Sequence, residues 1–182
     1  MLFILLAALS AYLLLGIAYF GFRRSGYSQL RHTISELGEA GARHQRAVSW
    51  GVFFPVGAGL LLLATCCADT QALHGLLLCL GAGYVVAAVF PCDPGSPSSG
   101  SLRQAIHNLG GALEYVGGIY FLYQAQNGLF LHETIGPQAQ LAVLGGCVVA
   151  TSFPDFPLRG LAQRVAELFL FGQALWLSSQ LP

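Results

Sequence analysis

The chain has 182 residues, of which 55% are hydrophobic and only 9% are charged, and its formal net charge is zero. This charged share is about a third of that in soluble domains, which excludes an ordinary water-soluble fold. The neutral balance argues against nucleic acid as a partner. A helix needs about 20 apolar residues to cross a bilayer, so the length allows six crossings with short loops.

Six apolar runs of spanning length follow one another along the chain. They cover 2–22, 47–67, 72–90, 105–125, 138–154 and 163–180. The first run lacks the basic start and the cleavage site of a secretory signal, so we expect it to be a retained span. None of the runs alternates polar and apolar residues, which favours helices over barrel strands. We predict one all-α domain over 1–182, a bundle of six transmembrane helices arranged as three hairpins.

The basic residues predict how these helices are oriented. All eight are arginines, and they lie in or at the edge of the loops after the first, third and fifth runs. They are Arg23, Arg24, Arg31, Arg43, Arg46, Arg103, Arg159 and Arg164. Because basic loops stay on the cytoplasmic side, both termini are predicted to lie outside and these three loops inside.

Most other polar residues also lie near the predicted inner end. They include His32, Ser35 and Glu36 in the first loop, Asp93 in the third, and His107 and Glu114 in the fourth run. The outer side has Asp69, His74, His132 and Glu133. If the hairpins bundle, the inner residues converge on one polar pocket open to the cytoplasm.

Glu114 is the most informative single residue. An acid about two turns into a span is costly in hydrocarbon unless it faces a cavity, finds a partner or takes up a proton. His107 lies seven residues earlier on the same helix face, with Gly111 between them. This face predicts a ligand, metal or proton site, and the alternative is an interhelical hydrogen bond that holds the bundle together. Glu167 is predicted to pair with Arg164, three residues before it.

The first loop also contains the ingredients of nucleophile activation. His32 and Ser35 lie one helical turn apart, with Glu36 beside them. No GxSxG elbow is present, and an exposed helix surface is the alternative interpretation.

A zinc site is a further alternative to a protein without a cofactor. The candidate ligands are His32, Asp93 and His107, with Glu36 or Glu114. No HExxH-type spacing supports a metal. The turn around Asp93, with two prolines and a glycine, also fits an aspartate that only caps backbone amides.

Two short motifs resemble those of a known membrane family. Ser35-Glu36-Leu37-Gly38 follows the first run, Phe90-Pro91-Cys92-Asp93-Pro94-Gly95 follows the third, and His107 begins the fourth. In this order, and with six spans, they resemble the bacterial and archaeal family labelled domain of unknown function 998. The resemblance covers nearly the whole chain and implies a six-helix fold in the cell membrane, distantly similar to Frag1-like proteins, some of which are linked to lipid remodelling. It implies no established reaction. One departure is Ser49-Trp50-Gly51 at the start of the second run, where an asparagine is expected.

The leading hypothesis is a protein that handles a lipid or isoprenoid, with membrane lipids as its partners. Its pocket would be formed by His32, Ser35, Glu36, Asp93, His107 and Glu114. If it is an enzyme, a histidine of this set acts as general base, Asp93 orients it, and Ser35 or water attacks. The alternatives are a proton-coupled transporter that uses Glu114 and Glu167, and a scaffold that binds partner helices through its glycine-rich faces. The sequence leaves enzymatic activity and oligomeric state open.

Overall fold

The computed structural model describes residues 1–128 and 135–181. Within these ranges the chain is all helical, with seven helices and no strands. The helices are α1 (Leu2–Arg23), α2 (Ile34–Leu37), α3 (Gln45–Thr65), α4 (Gln71–Val89), α5 (Leu102–Gly128), α6 (Ile135–Thr151) and α7 (Arg159–Ser179). The predicted outer-side residues His132 and Glu133 lie outside the described residues.

Three of these helices, α1, α3 and α4, are long and apolar enough to cross a membrane. A shorter apolar segment, Gln138–Thr151, lies in α6. Helices α5 and α7 have 27 and 21 residues, but they carry most of the buried polar side chains. Each of the six predicted apolar runs overlaps one of the long helices. Helix α2 is an additional element of the first loop, too short for hydropathy to predict.

The short helix α2 is held in place by two sets of hydrogen bonds at its N-terminal end. A capping box starts it, because the Thr33 hydroxyl accepts from the Glu36 amide at 3.3 Å and the Glu36 carboxylate accepts from the Thr33 amide at 2.9 Å. The next amide, that of Ile34, donates to the side-chain oxygen of Gln163 in α7 at 2.6 Å. The segment that carries Ser35 and Glu36 is therefore docked on α7.

Helix α3 contains an irregular segment. Residues Ser49–Phe53 form a π-helical turn, at the position where the sequence departs from the expected asparagine. The Tyr12 hydroxyl of α1 donates to the Gly51 carbonyl in this turn. The Ser49 hydroxyl is buried and has no hydrogen-bond partner among the described residues. The hydrogen bond between α1 and this turn is therefore made to the Gly51 carbonyl of the backbone, and the side chain at position 49 takes no part in it.

Small residues allow the central helices to approach closely. A Cβ atom at Gly57 of α3 would lie 2.7 Å from the Gly81 carbonyl oxygen of α4. One at Gly83 of α4 would lie 2.6 Å from the Cβ atom of Glu114 in α5. Such contacts are how helices associate in lipid. They hold Glu114 directly against the backbone of α4.

Three loops contain the arginines or lie next to them (24–44, 90–101 and 152–158), and we call them the arginine-bearing loops. They meet at one end of the bundle, which we call the loop end. The Ala40 amide in the first loop donates to the Cys92 carbonyl in the third at 2.9 Å. The Leu161 amide, just after the last loop, donates to the Leu30 carbonyl at 3.0 Å. The loops that the arginine distribution assigns to one side therefore do lie together.

Candidate functional site

A cavity of about 360 Å³ lies near the loop end, lined by residues of α4, α5, α6, α7 and the first and third loops. This volume is within the range of small-molecule sites. Three of the predicted site residues line it, namely Ser35, His107 and Glu114. Apolar side chains, including those of Val116 and Val148, form part of the same wall.

Two buried acids lie at the cavity, and one of them, Glu114, lines it. Glu114 is 7% exposed and Glu167 is 6% exposed, and their carboxyl groups are neighbours. Glu167 also accepts from the hydroxyls of Tyr84 at 2.9 Å and Tyr115 at 2.6 Å. The two tyrosines thus hold the Glu167 side chain of α7 against α4 and α5, next to Glu114.

The two acids differ in how far their hydrogen-bonding capacity is used. A carboxyl group has about four lone-pair positions. Glu167 fills two of them with tyrosine hydroxyls. Glu114 takes no such donor, and its Oε1 atom is buried without a partner in the described part of the chain. Glu114, the member that lines the cavity, therefore keeps acceptor capacity.

A chain of hydrogen bonds connects the acids to the first loop. The Gln163 amide donates to the Tyr115 hydroxyl at 3.1 Å, and its oxygen accepts from the Ile34 amide at 2.6 Å. Sequence reasoning missed Tyr84, Tyr115 and Gln163. The signal was weak, because each of them reads as an ordinary residue of an apolar helix and the partners lie far apart in the sequence.

His107 has a fixed orientation. Its Nδ1 atom lies 2.9 Å from the Phe90 carbonyl oxygen at the end of α4. A carbonyl only accepts, so Nδ1 carries the hydrogen and Nε2 of the neutral ring is left as an acceptor. The side chain is 8% exposed and lines the cavity together with Glu114, as their spacing predicts.

Arg159 supplies the cation of the cavity, and its role was not predicted. It is 6% exposed and donates to the carbonyls of Gly95 at 2.9 Å and Ser96 at 2.8 Å. The Glu36 carboxylate lies 3.8 Å away. Its Nε atom is buried, and no acceptor among the described residues reaches it. Glu36 thus pairs with Arg159 but does not itself line the cavity.

The His32 side chain makes its contacts within the first loop. Its Nδ1 atom accepts from the Ser28 amide at 2.8 Å, and its ring stacks on Tyr27 with 5.3 Å between centroids. It does not line the cavity that Ser35 lines. The structure therefore does not join His32 and Ser35 into a nucleophile and base.

The Asp93 carboxylate makes its contacts with residues that follow it closely in the chain. It accepts from the amide and the hydroxyl of Ser101, each at 2.8 Å, and pairs with Arg103 at 2.5 Å. The Ser101 amide, followed by the Arg103 guanidinium, lowers the pKa of Asp93 below its ordinary value of 3.8. Since His107 is held by Phe90, the predicted orientation of that histidine by Asp93 is not present.

The predicted pairing of Arg164 with Glu167 is wrong. Arg164 turns back to the first loop and donates to the carbonyls of Gln29 at 2.7 Å and His32 at 2.9 Å. It also donates to the Tyr27 hydroxyl at 2.5 Å. Burial raises the pKa of Tyr27 to about 12, so this hydroxyl stays protonated and donates to the Thr33 carbonyl at 2.8 Å.

The zinc ligands suggested by the sequence are not assembled. Across residues 1–128 and 135–181, no three His, Cys, Asp or Glu side chains come together as a metal site. What the structure does assemble is an acid pair, a fixed histidine and a buried arginine around one cavity.

Comparison with known proteins gives one match. The model of a family described as "Protein of unknown function (DUF998)" matches residues 5–180. No curated protein and no solved structure matches the chain.

Proposed function

The chain belongs to the DUF998 family, and from this premise we propose that it is a multi-pass membrane protein that handles a lipid or isoprenoid, holding the polar head of that molecule in the cavity beside Glu114. The cavity is the observation that carries the proposal. Its lining combines polar side chains such as His107 and Arg159 with apolar ones such as Val116 and Val148. An amphiphile needs both kinds of surface.

The proposal includes the topology of six crossings, with both termini outside and the loop end in the cytoplasm of a bacterial or archaeal cell. The shared position of the arginine-bearing loops supports it.

The cysteines offer a test of this topology. Cys66 is exposed at the end opposite the loop end, whereas Cys92 is buried in the third loop, and burial raises the pKa of the Cys92 thiol to about 12. A membrane-impermeant maleimide should label intact cells through Cys66, and Cys66→Ser should remove that label. Labelling that needs permeabilised cells would contradict the topology.

Filling the cavity tests the proposed function itself. Gly111 lines the cavity, and a Cβ atom there would meet nothing within 4 Å. Gly111→Phe should therefore fold and occupy the space of the ligand. Gly172 in α7 is exposed and equally unobstructed, so Gly172→Phe is the matched control. Native mass spectrometry should find bound lipid on the wild type and the control and little on Gly111→Phe. Equal retention by all three would contradict lipid binding in the cavity.

A second candidate, a proton-coupled carrier, is favoured by the two buried neighbouring acids Glu114 and Glu167. Such a carrier would move its ligand only as the pair changes protonation. Proteoliposomes with a fluorescent phospholipid analogue give the measurement. Movement between leaflets should depend on a pH gradient, and Glu114→Gln should remove that dependence. Movement of the analogue that does not depend on the pH gradient, or no movement at all, would exclude the carrier.

A further inference from the structure

The cavity holds two charged side chains of opposite sign, and each has hydrogen-bonding capacity to spare. Glu114 keeps acceptor capacity, with Oε1 buried and unpartnered. Arg159 keeps a donor, its buried Nε–H group. Both residues are more than nine-tenths buried. Buried unpartnered atoms also occur on Gln29, Ser49 and Arg103, but these residues do not line the cavity. Because buried polar atoms in proteins are nearly always paired, an acid and a guanidinium left unpaired in the lining of one cavity fit a ligand that brings a donor to one and an acceptor to the other.

The other polar groups of the cavity follow the same division, with acceptors near Glu114 and donors near Arg159. On the α5 side, His107 leaves its Nε2 atom as a second acceptor near Glu114. On the loop side, the hydroxyl groups of Ser35 and Ser98 line the cavity with Arg159 and can donate. One wall therefore accepts hydrogen bonds and the other donates them.

The charges decide which kind of head group fits. Glu36 lies 3.8 Å from Arg159 and offsets much of its charge. Three carboxyl groups, those of Glu36, Glu114 and Glu167, therefore lie at or beside the cavity, whereas Arg159 is the one arginine among its described lining residues. A purely anionic head would meet this surplus of acids, whereas a head that also carries a cation would not.

The kind of cation follows from the free acceptors. Both Glu114 and His107 need an N–H or O–H donor. A quaternary ammonium group has no hydrogen to give, but a primary ammonium group has three, as in a lysine side chain.

We propose that the cavity selects a zwitterionic phospholipid head with a primary ammonium group, the ammonium bound at Glu114 and His107 and the phosphate at Arg159. This inference rests on the proposed function and names the ligand class for the same site. Phosphatidylethanolamine is the simplest probe with this chemistry.

The test is a competition among lipids for the full-length protein. Purified protein is equilibrated in mixed micelles with equal amounts of phosphatidylethanolamine, phosphatidylcholine and phosphatidylglycerol, and the retained lipids are identified by native mass spectrometry. Wild type should prefer phosphatidylethanolamine to phosphatidylcholine by roughly tenfold or more, as expected for a buried charged hydrogen bond. Glu114→Gln should lose this preference. Asp69→Asn, which removes an exposed acid at the opposite end, should keep it.

Soluble head groups separate a lipid from a free phosphate ester as the source. O-phosphoethanolamine should displace the bound lipid weakly, and O-phosphocholine should not displace it. Displacement by O-phosphoethanolamine at the concentration of the lipid itself would overturn the assignment to a lipid. The comparison of lipids on the wild type needs no variant, so a folding defect in Glu114→Gln leaves the test decisive.

The outcomes distinguish this inference from the proposed function. If the wild type retains lipid in the proportions supplied, the head-group assignment is overturned and lipid binding stands. If the wild type retains no lipid, both are overturned.

Discussion

The loop end and the cavity use the same kinds of polar residue in different ways. At the loop end, Arg164 donates to two backbone carbonyls of the first loop, and Asp93 is paired with Arg103 and Ser101. In the cavity, Glu114 and Arg159 each keep an unpartnered atom, and at the loop end so does Arg103, although its guanidinium is paired with Asp93. The comparison of the two acids is the informative one, because the Asp93 carboxylate is already used by the fold and the Glu114 carboxyl group is not.

The difference has a physical origin. Loops expose backbone carbonyls and amides that no helix pairs, and long arginine side chains are well suited to reach them. Inside the bundle the backbone is already paired, so the polar side chains of α5 and α7 must pair with one another or with a ligand.

Arg164→Met should have the largest effect. It removes the guanidinium that donates to the half-buried Gln29 and His32 carbonyls and to the Tyr27 hydroxyl, while the His32 carbonyl keeps a long bond of 3.4 Å from Tyr27. Since a group left unpaired costs about 1–3 kcal/mol, we expect a loss of roughly 3 kcal/mol in unfolding free energy. Thermal unfolding in detergent measures it. Arg31→Met removes an exposed arginine of the same loop and should change little. Equal melting temperatures for the two variants would show that the loop end does not depend on this side chain.

Gly83→Ala should have the next largest effect, on the cavity side. The added methyl group would lie 2.6 Å from the Cβ atom of Glu114, so α5 must shift, at a cost of about 1–3 kcal/mol. Unlike Arg164→Met, this change should also lower lipid retention, because Glu114 moves with its helix. Gly172→Ala, at an open position, is the control for both measurements. Unchanged retention in a destabilised Gly83→Ala would separate Glu114 from the ligand.

Glu36→Gln should change selectivity with a smaller effect. Glutamine can keep the capping box with Thr33, but it removes the negative charge 3.8 Å from Arg159. Retention of phosphatidylglycerol relative to phosphatidylethanolamine should rise by up to about fivefold, which corresponds to about 1 kcal/mol for one ion pair. Glu39→Gln, which breaks a pair with Arg24 away from the cavity, should leave the ratio unchanged. A ratio that responds equally to both would remove Arg159 from the site.

Asp93→Asn should have the smallest effect, and only in acid. Because the pKa of Asp93 is lowered in the folded protein, its contacts stabilise the fold above the ordinary pKa of 3.8 and are lost as the pH falls below it. The variant should therefore lose slightly less stability on acidification than the wild type. Asp155→Asn, an exposed acid in the last loop, provides the comparison. Parallel acid melting curves for wild type and Asp93→Asn would contradict a stabilising role for this carboxylate.

The sequence predicts the helices and the loop end well, because both depend on local quantities. Apolar length locates each of the six long helices, although not the short α2, and the position of the arginines predicts which loops lie together. The spacing of His107 and Glu114 predicts that they share a helix face, and both do line the cavity.

The partners of the charged residues could not be predicted in this way. Glu167 was assigned to Arg164 by nearness in sequence, but it faces Tyr84 and Tyr115 because packing of α4, α5 and α7 turns it inward. Arg159 looked like one more loop arginine until its contacts with the third loop brought it to the cavity wall. Such pairings depend on how whole helices rotate against one another, which no short motif records.

Imaging the full chain in phosphatidylethanolamine-containing nanodiscs, with a bound antibody fragment to add mass, tests the central claim most directly. We predict density inside the cavity, with a head group between Glu114 and Arg159 and a chain leaving past Val116 and Val148. A cavity without density, or α6 closed against α5 with Glu114 turned toward the bilayer, would contradict the account.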